Sequence, residues 1–396
     1  MPKHLGTVVR GIRTPIISQN DNLAKIVVDS LFGAMKHEGF QLKPRDVLGI
    51  TEAVVARAQG NYANADHIAE DTCAKFPGKE AAVVFPILSR NRFATCLKGI
   101  ARGLDKVFVM LSYPADEVGN HLIDIDELDA CGINPWTDVL DEKEYRRLFG
   151  YSKHIFTGID YVEHYSEIIS SEGAEPVFIF ANSPKEILNY TKHVLCCDIH
   201  TRMRTKKLLQ NAGAKTVFGL DDILNRPVNG SGYNDIYGLL GSNKATDDSV
   251  KLFPRDADDF ARKVQAMIHE KSGIEIEVMV YGDGAFKDPV GKIWELADPV
   301  VSPGHTAGLS GMPNEIKLKY LADNRFANLS GEDLKKAIAE EIRNKKESLV
   351  GKAESGGTTP RRYTDLLGSL CDLTSGSGDK GTPIVLVQGY FDNYAD

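Results

Sequence analysis

Residues 281–299, YGDGAFKDPVGKIWELADP, gather carboxylates and lysines beyond an apolar run, IEIEVMV, that reads as a buried strand. Asp283 lies between two glycines, which let a backbone approach a ligand closely. A carboxylate so placed can bind a hard cation such as Mg2+, which bridges to nucleotide phosphates. A Gly-Asp-Gly hairpin turn is the plain alternative. Lys287 and Lys292 either offset phosphate charge, which sets Lys292 among the nucleotide contacts, or are simply solvated. A second polar strand end is YGLLGSNKATDD at 237–248, preceded by Asn234 and Asp235. Its Gly-Ser-Asn turn offers backbone N–H groups and the Ser242 hydroxyl to phosphate oxygens; otherwise it is a surface turn. A third is LSRNRF at 88–93, where Ser89, Arg90 and Arg92 could hold an anion at a helix N-terminus. The basic run Arg202, Arg204, Lys206 and Lys207 reads as a solvated helix face. The sequence has no Gly-x-Ser-x-Gly, Walker A lysine loop, His-Glu-x-x-His or Cys-x-x-Cys.

These groups need elements to position them. Residues 5–60 read strand, helix, strand. The helix in NDNLAKIVVDSLFGAMKHEG takes Asn20 or Asp21 as N-cap and stops at Gly39. PRDVLGITEAVVARAQG begins as a buried strand and continues as a helix or a second strand. The middle of the chain alternates apolar runs (AAVVFPIL, KVFVMLSYP, EPVFIFAN, HVLCCDIH, KTVFGL) with helical ones (RFATCLKGIARG, SPKEILNYTKHV, TRMRTKKLLQNAG). That alternation predicts a mostly parallel sheet with helices on its faces. Residues 76–225 are therefore expected as a Rossmann-like α/β subdomain inserted between two parts of another, 1–75 and 226–396. From Asp256 an amphipathic helix carries Phe260, Val264 and Ile268 on one face and ends at Gly273. A further solvated helix starts with a Ser-x-x-Asp capping box at Ser330 and Asp333. ESGGTTPRR reads as a loop, DLLGSLCDLTSG as a helix and TPIVLVQGY as a last buried strand. The fold class is α/β, with α+β character.

The chain has 396 residues, enough for two or three subdomains, and 26% of them are charged. A net charge of −8 gives no general attraction to nucleic acid or an anionic membrane. No run approaches the roughly 18–20 apolar residues of a membrane span, and MPKHLGTVVRGIRTP lacks the apolar core of a secretory signal. Six cysteines show no framework spacing, which favours a reducing cytoplasm, and the adjacent Cys196 and Cys197 read as buried reduced thiols.

Several blocks, in this order, resemble the coenzyme F420-0:L-glutamate ligase (F420-0 gamma-glutamyl ligase) family. They are VVRGIRTPIISQNDNLAKIV, PRDVLGITEAVVARAQG, GLLGSNKATDDSVKLFPRDADDFARKV, GIEIEVMVYGDGAFKDPVG and the closing DLLGSLCDLTSGSGDKGTPIVLVQG. The resemblance lies at the two ends of the chain. Most of 61–230 and 305–355 shows no counterpart, which implies an elongated relative.

The resemblance implies that family's fold and its chemistry. A nucleotide, GTP by resemblance with ATP the other candidate, phosphorylates a small carboxylate acceptor, and the amine of L-glutamate attacks the acyl phosphate. Mg2+ or Mn2+ neutralises the phosphates, and a homodimer is expected. Residue by residue, the resemblance puts Asp283 at a metal-binding aspartate and at the catalytic centre. It puts Gly11, Ile12, Thr51, Arg57, Ser242 and Asn243 on the nucleotide side. The family's second metal-binding aspartate falls on Leu240 here, a lysine becomes Ala53, and an arginine is lost around residues 286–290. Asp235, Asp247 or Glu52 could replace the missing ligand, with Asp235 preferred. Two rival readings stay open: a non-catalytic nucleotide- or metabolite-binding protein of this fold, and an unrelated enzyme with its site around residues 89–92.

Overall fold

A computed structural model describes residues 5–285, 297–356, 361–375 and 378–395. The chain is mixed α/β. Its core sheet has five strands in the order Val8–Ile12, Ile384–Gln388, Val47–Thr51, Glu277–Tyr281 and Gly304–His305. Val47–Thr51 and Glu277–Tyr281 are parallel neighbours, while the chain's last strand runs antiparallel between the first strand and Val47–Thr51. Every residue of Glu277–Tyr281 and Ile384–Gln388 is buried, as expected of strands covered on both faces. One face packs on helices Leu23–Glu38 and Ala257–Ser272 through Val27, Leu31, Val264 and Ile268. The other packs on helix Tyr363–Ser375 through Leu367 and Cys371.

A six-stranded sheet is built from residues 80–219, in the order Leu140–Asp141, Glu175–Phe180, Lys106–Leu111, Glu80–Val84, His193–Cys196 and Thr216–Gly219. All neighbours are parallel except the short first pair. The order reverses at Glu80–Val84: the next strand lies on one side of it and His193–Cys196 on the other. The crevice beyond the carboxyl ends of those two strands is where such sheets bind ligands. A small antiparallel sheet of Asn243–Thr246, Ser249–Lys251 and Tyr62–Asn64 adjoins the two larger ones. Cys196 and Cys197 are buried free thiols. Among the described residues no helix is long and apolar enough to cross a membrane.

Local details differ from the sequence expectations for physical reasons. The first long helix is capped by Asn22, whose side chain accepts the N–H of Lys25 at 3.3 Å, rather than by Asn20 or Asp21. Gly39 and Gly273 do end their helices in the left-handed conformation. At Ser330 no side-chain cap bond forms, so the expected capping box is absent. The segment after Ser183 is a 3-10 helix, Pro184–Asn189, rather than an α-helix. In the basic run, Arg202 and Lys206 are turned onto Asp221 rather than toward solvent, at 2.9 and 3.0 Å.

Candidate active site

Two parallel strands end side by side. Thr51 and Tyr281 are register partners, so the chain delivers Thr51-Glu52 and Gly282-Asp283 to the same sheet edge. Thr51 starts helix Glu52–Ala58 and donates its N–H to the Pro383 carbonyl at 3.0 Å. A cleft of about 410 Å3 opens there, lined by Thr51, Glu52, Asn243, Gly282, Asp283 and Asp372 among others. Three separate sequence blocks thus bring Thr51, Asn243 and Asp283 into one cleft.

Asp283 is tied into a carboxylate–guanidinium network. Its backbone N–H donates to Asp298 Oδ2 at 2.7 Å. The next N–H, of Gly284, donates to Asp372 Oδ2 at 2.9 Å, and that of Ala285 to Ser369 Oγ at 3.0 Å. Gly282 is required as glycine, because a Cβ there would lie 2.1 Å from Asp298 Oδ2. Arg92 arrives from the loop that leaves Glu80–Val84. Its Nη1 donates to Asp298 Oδ1 at 2.7 Å and its Nη2 to Asp283 Oδ2. Asp298 is 1% exposed, Arg92 14% and Asp283 30%. Burial works against the Arg92 charge, but Asp298 and Asp283 outweigh it and raise its pKa further.

Glu52 is buried beside this network and accepts two bonds from Lys251 Nζ, at 2.6 and 2.8 Å. Burial pushes the Glu52 pKa up against the pull of Lys251, and the nearby Asp298 adds to the rise. Asp372 is likewise pushed up, first by burial.

The other expected site residues are more scattered. Gly11 and Ile12 line a neighbouring cleft of about 1090 Å3 with Arg10, Lys380 and Thr382; Thr382 borders both clefts. Arg57 sends its Nε to the Ile17 carbonyl and so supports the cleft wall. Ser242 is buried, with its hydroxyl 3.2 Å from Cys96 Sγ and its N–H on the Leu239 carbonyl, so it faces the interior while Asn243 faces the cleft. Asp235 is exposed and does not line the Asp283 cleft. Asp247 is exposed and paired with Lys244. Lys287 and Lys292 lie outside the described residues. Leu240 is buried and shares a small cavity with Arg92, Cys96 and Ser242.

At 89–92 the structure corrects the expected free anion site. Arg92 is already bound by two carboxylates, and Ser89 Oγ accepts the N–H groups of Asn91 and Arg92 at 3.3 and 3.2 Å. Where the strand order reverses, Glu117 accepts the backbone N–H groups of Ile199, His200 and Thr201. The chain's own carboxylate thus fills the start of helix Arg202–Asn211.

A family model described as F420-0:Gamma-glutamyl ligase matches residues 11–389. The chain belongs to the F420-0:gamma-glutamyl ligase family. No curated protein matches it. The match runs through the six-stranded sheet and through 305–355, so the gamma-glutamyl ligase family includes the middle of the chain, for which the sequence showed no counterpart. In this family member the sequence reading gave no role to three residues of the network around the cleft: Asp298, Asp372 and Lys251. Asp298 carried a signal, since it closes the charged stretch that Asp283 opens. Asp372 and Lys251 sit inside ordinary helix and strand patterns and gave none. Among the described residues no group of three or more His, Cys, Asp or Glu side chains is arranged to hold a metal. Asp283 and Asp298 nevertheless supply the hard oxygen donors that Mg2+ takes in ones and twos alongside phosphate oxygens.

Proposed function

We propose that this family member is a nucleotide- and divalent-metal-dependent gamma-glutamyl ligase working through an acyl phosphate. The observation that carries the reading is the meeting of Thr51, Asn243 and Asp283, from three family-like blocks, around one cleft at the ends of two parallel strands. The acceptor carboxylate attacks the terminal phosphorus of GTP or ATP, forming a P–O bond and releasing the nucleoside diphosphate. The amine of L-glutamate then attacks the acyl carbon, phosphate leaves, and the amine gives up a proton.

The chain's own residues hold and orient these groups. Asp283 and Asp298 would hold Mg2+ or Mn2+, which when bound neutralises phosphate charge. Asn243 and the backbone at Thr51 offer donors to the nucleotide, and Gly282 keeps Asp298 close behind Asp283. Gly11, Ile12 and Lys380 border the adjoining cleft, which has room for the second substrate. Asp235 has no part in this arrangement. A homodimer belongs to the same reading and is checked by sedimentation.

Thermal stabilisation by GTP and ATP, each with and without Mg2+ or Mn2+, tests the proposal, because a ligand of the folded state raises Tm. A metal-dependent shift that Asp283→Asn removes, together with lost turnover and an intact fold, is the expected result. No shift with any nucleotide would overturn it. The buried, apolar Leu240 favours one rival, a binding protein without turnover. Metal-dependent binding with no amide formed across a panel of carboxylates and amines would select that rival.

A further inference from the structure

The placement of Arg92 is unusual for a cleft built to receive a free cation. The guanidinium bridges two carboxylates, Asp283 and Asp298, and spends both terminal nitrogens on them. It is held in place from behind. Phe93 and Cys96 on the helix it caps are buried, and Leu240 and Ser242 close the small cavity around it. An arginine does not lose its proton in a protein, so this positive charge is permanent. Its planar fork also suits the span between two separate carboxylates, which an ammonium group does not match.

We infer that Arg92 is a tethered cation that competes with free divalent ions for the Asp283–Asp298 pair. Asp283 and Asp298 would hold Mg2+ or Mn2+ through the same carboxylates that the guanidinium now occupies. Two cations so close also repel strongly in a partly buried site. The divalent ion gains the pair only when the guanidinium leaves at least one carboxylate. Because Arg92 follows strand Glu80–Val84 of the six-stranded sheet and Asp283 follows strand Glu277–Tyr281 of the core sheet, cation entry loosens a contact between the two sheets. Arg92 is therefore a positioning residue that sets how tightly the site takes metal.

The inference rests on the ligase reading only for the identity of the ion, and its test needs no nucleotide or turnover. Wild type, Arg92→Ala and Arg92→Lys are titrated with Mn2+ alone, free ion is read by electron paramagnetic resonance, and fold is checked by circular dichroism. Arg92→Ala is expected to bind Mn2+ more tightly by on the order of tenfold or more. Arg92→Lys keeps the charge but cannot span both carboxylates, and is expected to fall between. Adding Asp283→Asn to Arg92→Ala is expected to erase the gain. Unchanged or weaker Mn2+ binding in the folded variants would overturn the inference, and if Arg92→Ala does not fold, Arg92→Lys decides on the same criterion. That failure is distinct from failure of the ligase reading, which shows as no thermal shift with any nucleotide.

Discussion

Lys251 reaches both carboxylate oxygens of Glu52, at 2.6 and 2.8 Å, and both side chains are almost fully buried. The pair joins the small antiparallel sheet to the first residue of helix Glu52–Ala58, directly behind the cleft. A buried carboxylate left without its partner is costly, whereas removing both charges is far milder. Lys251→Met is expected to lower stability by about 3–5 kcal/mol. The double variant Lys251→Met with Glu52→Gln should recover most of that loss. Urea unfolding of the single and double variants measures both; equal losses in the two would show that the charge pair is not the cause.

Gly282 gives a steric test of the aspartate network. In Gly282→Ala the new methyl would press on Asp298, which Arg92 and the Asp283 N–H hold in place. Overpacking of this kind costs about 1–3 kcal/mol. The expected outcome is a folded protein with reduced Tm and a metal-dependent nucleotide shift much smaller than wild type. An unaltered shift would mean that Asp298 can move without consequence.

Ser242 and Asn243 are neighbours with opposite surroundings. Ser242→Ala removes only a hydroxyl that faces Cys96, itself a thiol pushed up to about 11 by burial. It should change stability by about 1 kcal/mol or less and leave nucleotide binding near wild type. Asn243→Ala should weaken nucleotide binding several-fold with little effect on stability. Isothermal titration of both variants with the nucleotide separates the two roles, and a reversed order would return Ser242 to the phosphate side.

His154 provides a pH test remote from the cleft. Its pKa is lowered from the ordinary 6.5 by burial and by the nearby His121, and its Nε2 is buried without a hydrogen-bond partner among the described residues. His164 is lowered as well, first by burial. The unfolded chain therefore takes up protons more readily than the folded one. The stability conferred by neutral His154 is complete above 6.5 and is lost as pH falls below it. Tm should fall between pH 7.5 and 5.5, and His154→Gln should reduce that fall. Scanning calorimetry at the two pH values measures it; an unchanged fall would exclude His154 as the source.

Much of the core could be read from sequence because its signals are local. The Val264 and Ile268 spacing, the stop at Gly273 and the apolar runs of the parallel strands each reside in a short window, and each became the expected element. The alignment of Thr51 with Tyr281 was also within reach, since both close buried runs. Arg92 was noticed as a cation and given an anion to bind, because nothing near residue 92 announces carboxylates that follow it by 191 and 206 positions. The inward turn of Ser242 depends on Cys96, which only tertiary packing brings near. Ser330 failed as a capping box because a four-residue pattern does not fix whether the side chains close on the backbone.

The position of Ile384–Gln388 has a consequence for timing. It is wedged between Val8–Ile12 and Val47–Thr51, so the core sheet stays open until that strand has been made. The six-stranded sheet, complete by Gly219, needs nothing from that end for its own strand pairing. During synthesis it can be assembled well before Asp283 leaves the ribosome, while the amino-terminal strand waits unpaired. Long-range closures of this kind are slow steps, so the acidic cleft should be among the last parts of the molecule to appear on refolding. A chain stopped short of Ile384 would keep the six-stranded sheet, lose an interior strand of the core sheet, and present unpaired strand edges beside the acidic cleft.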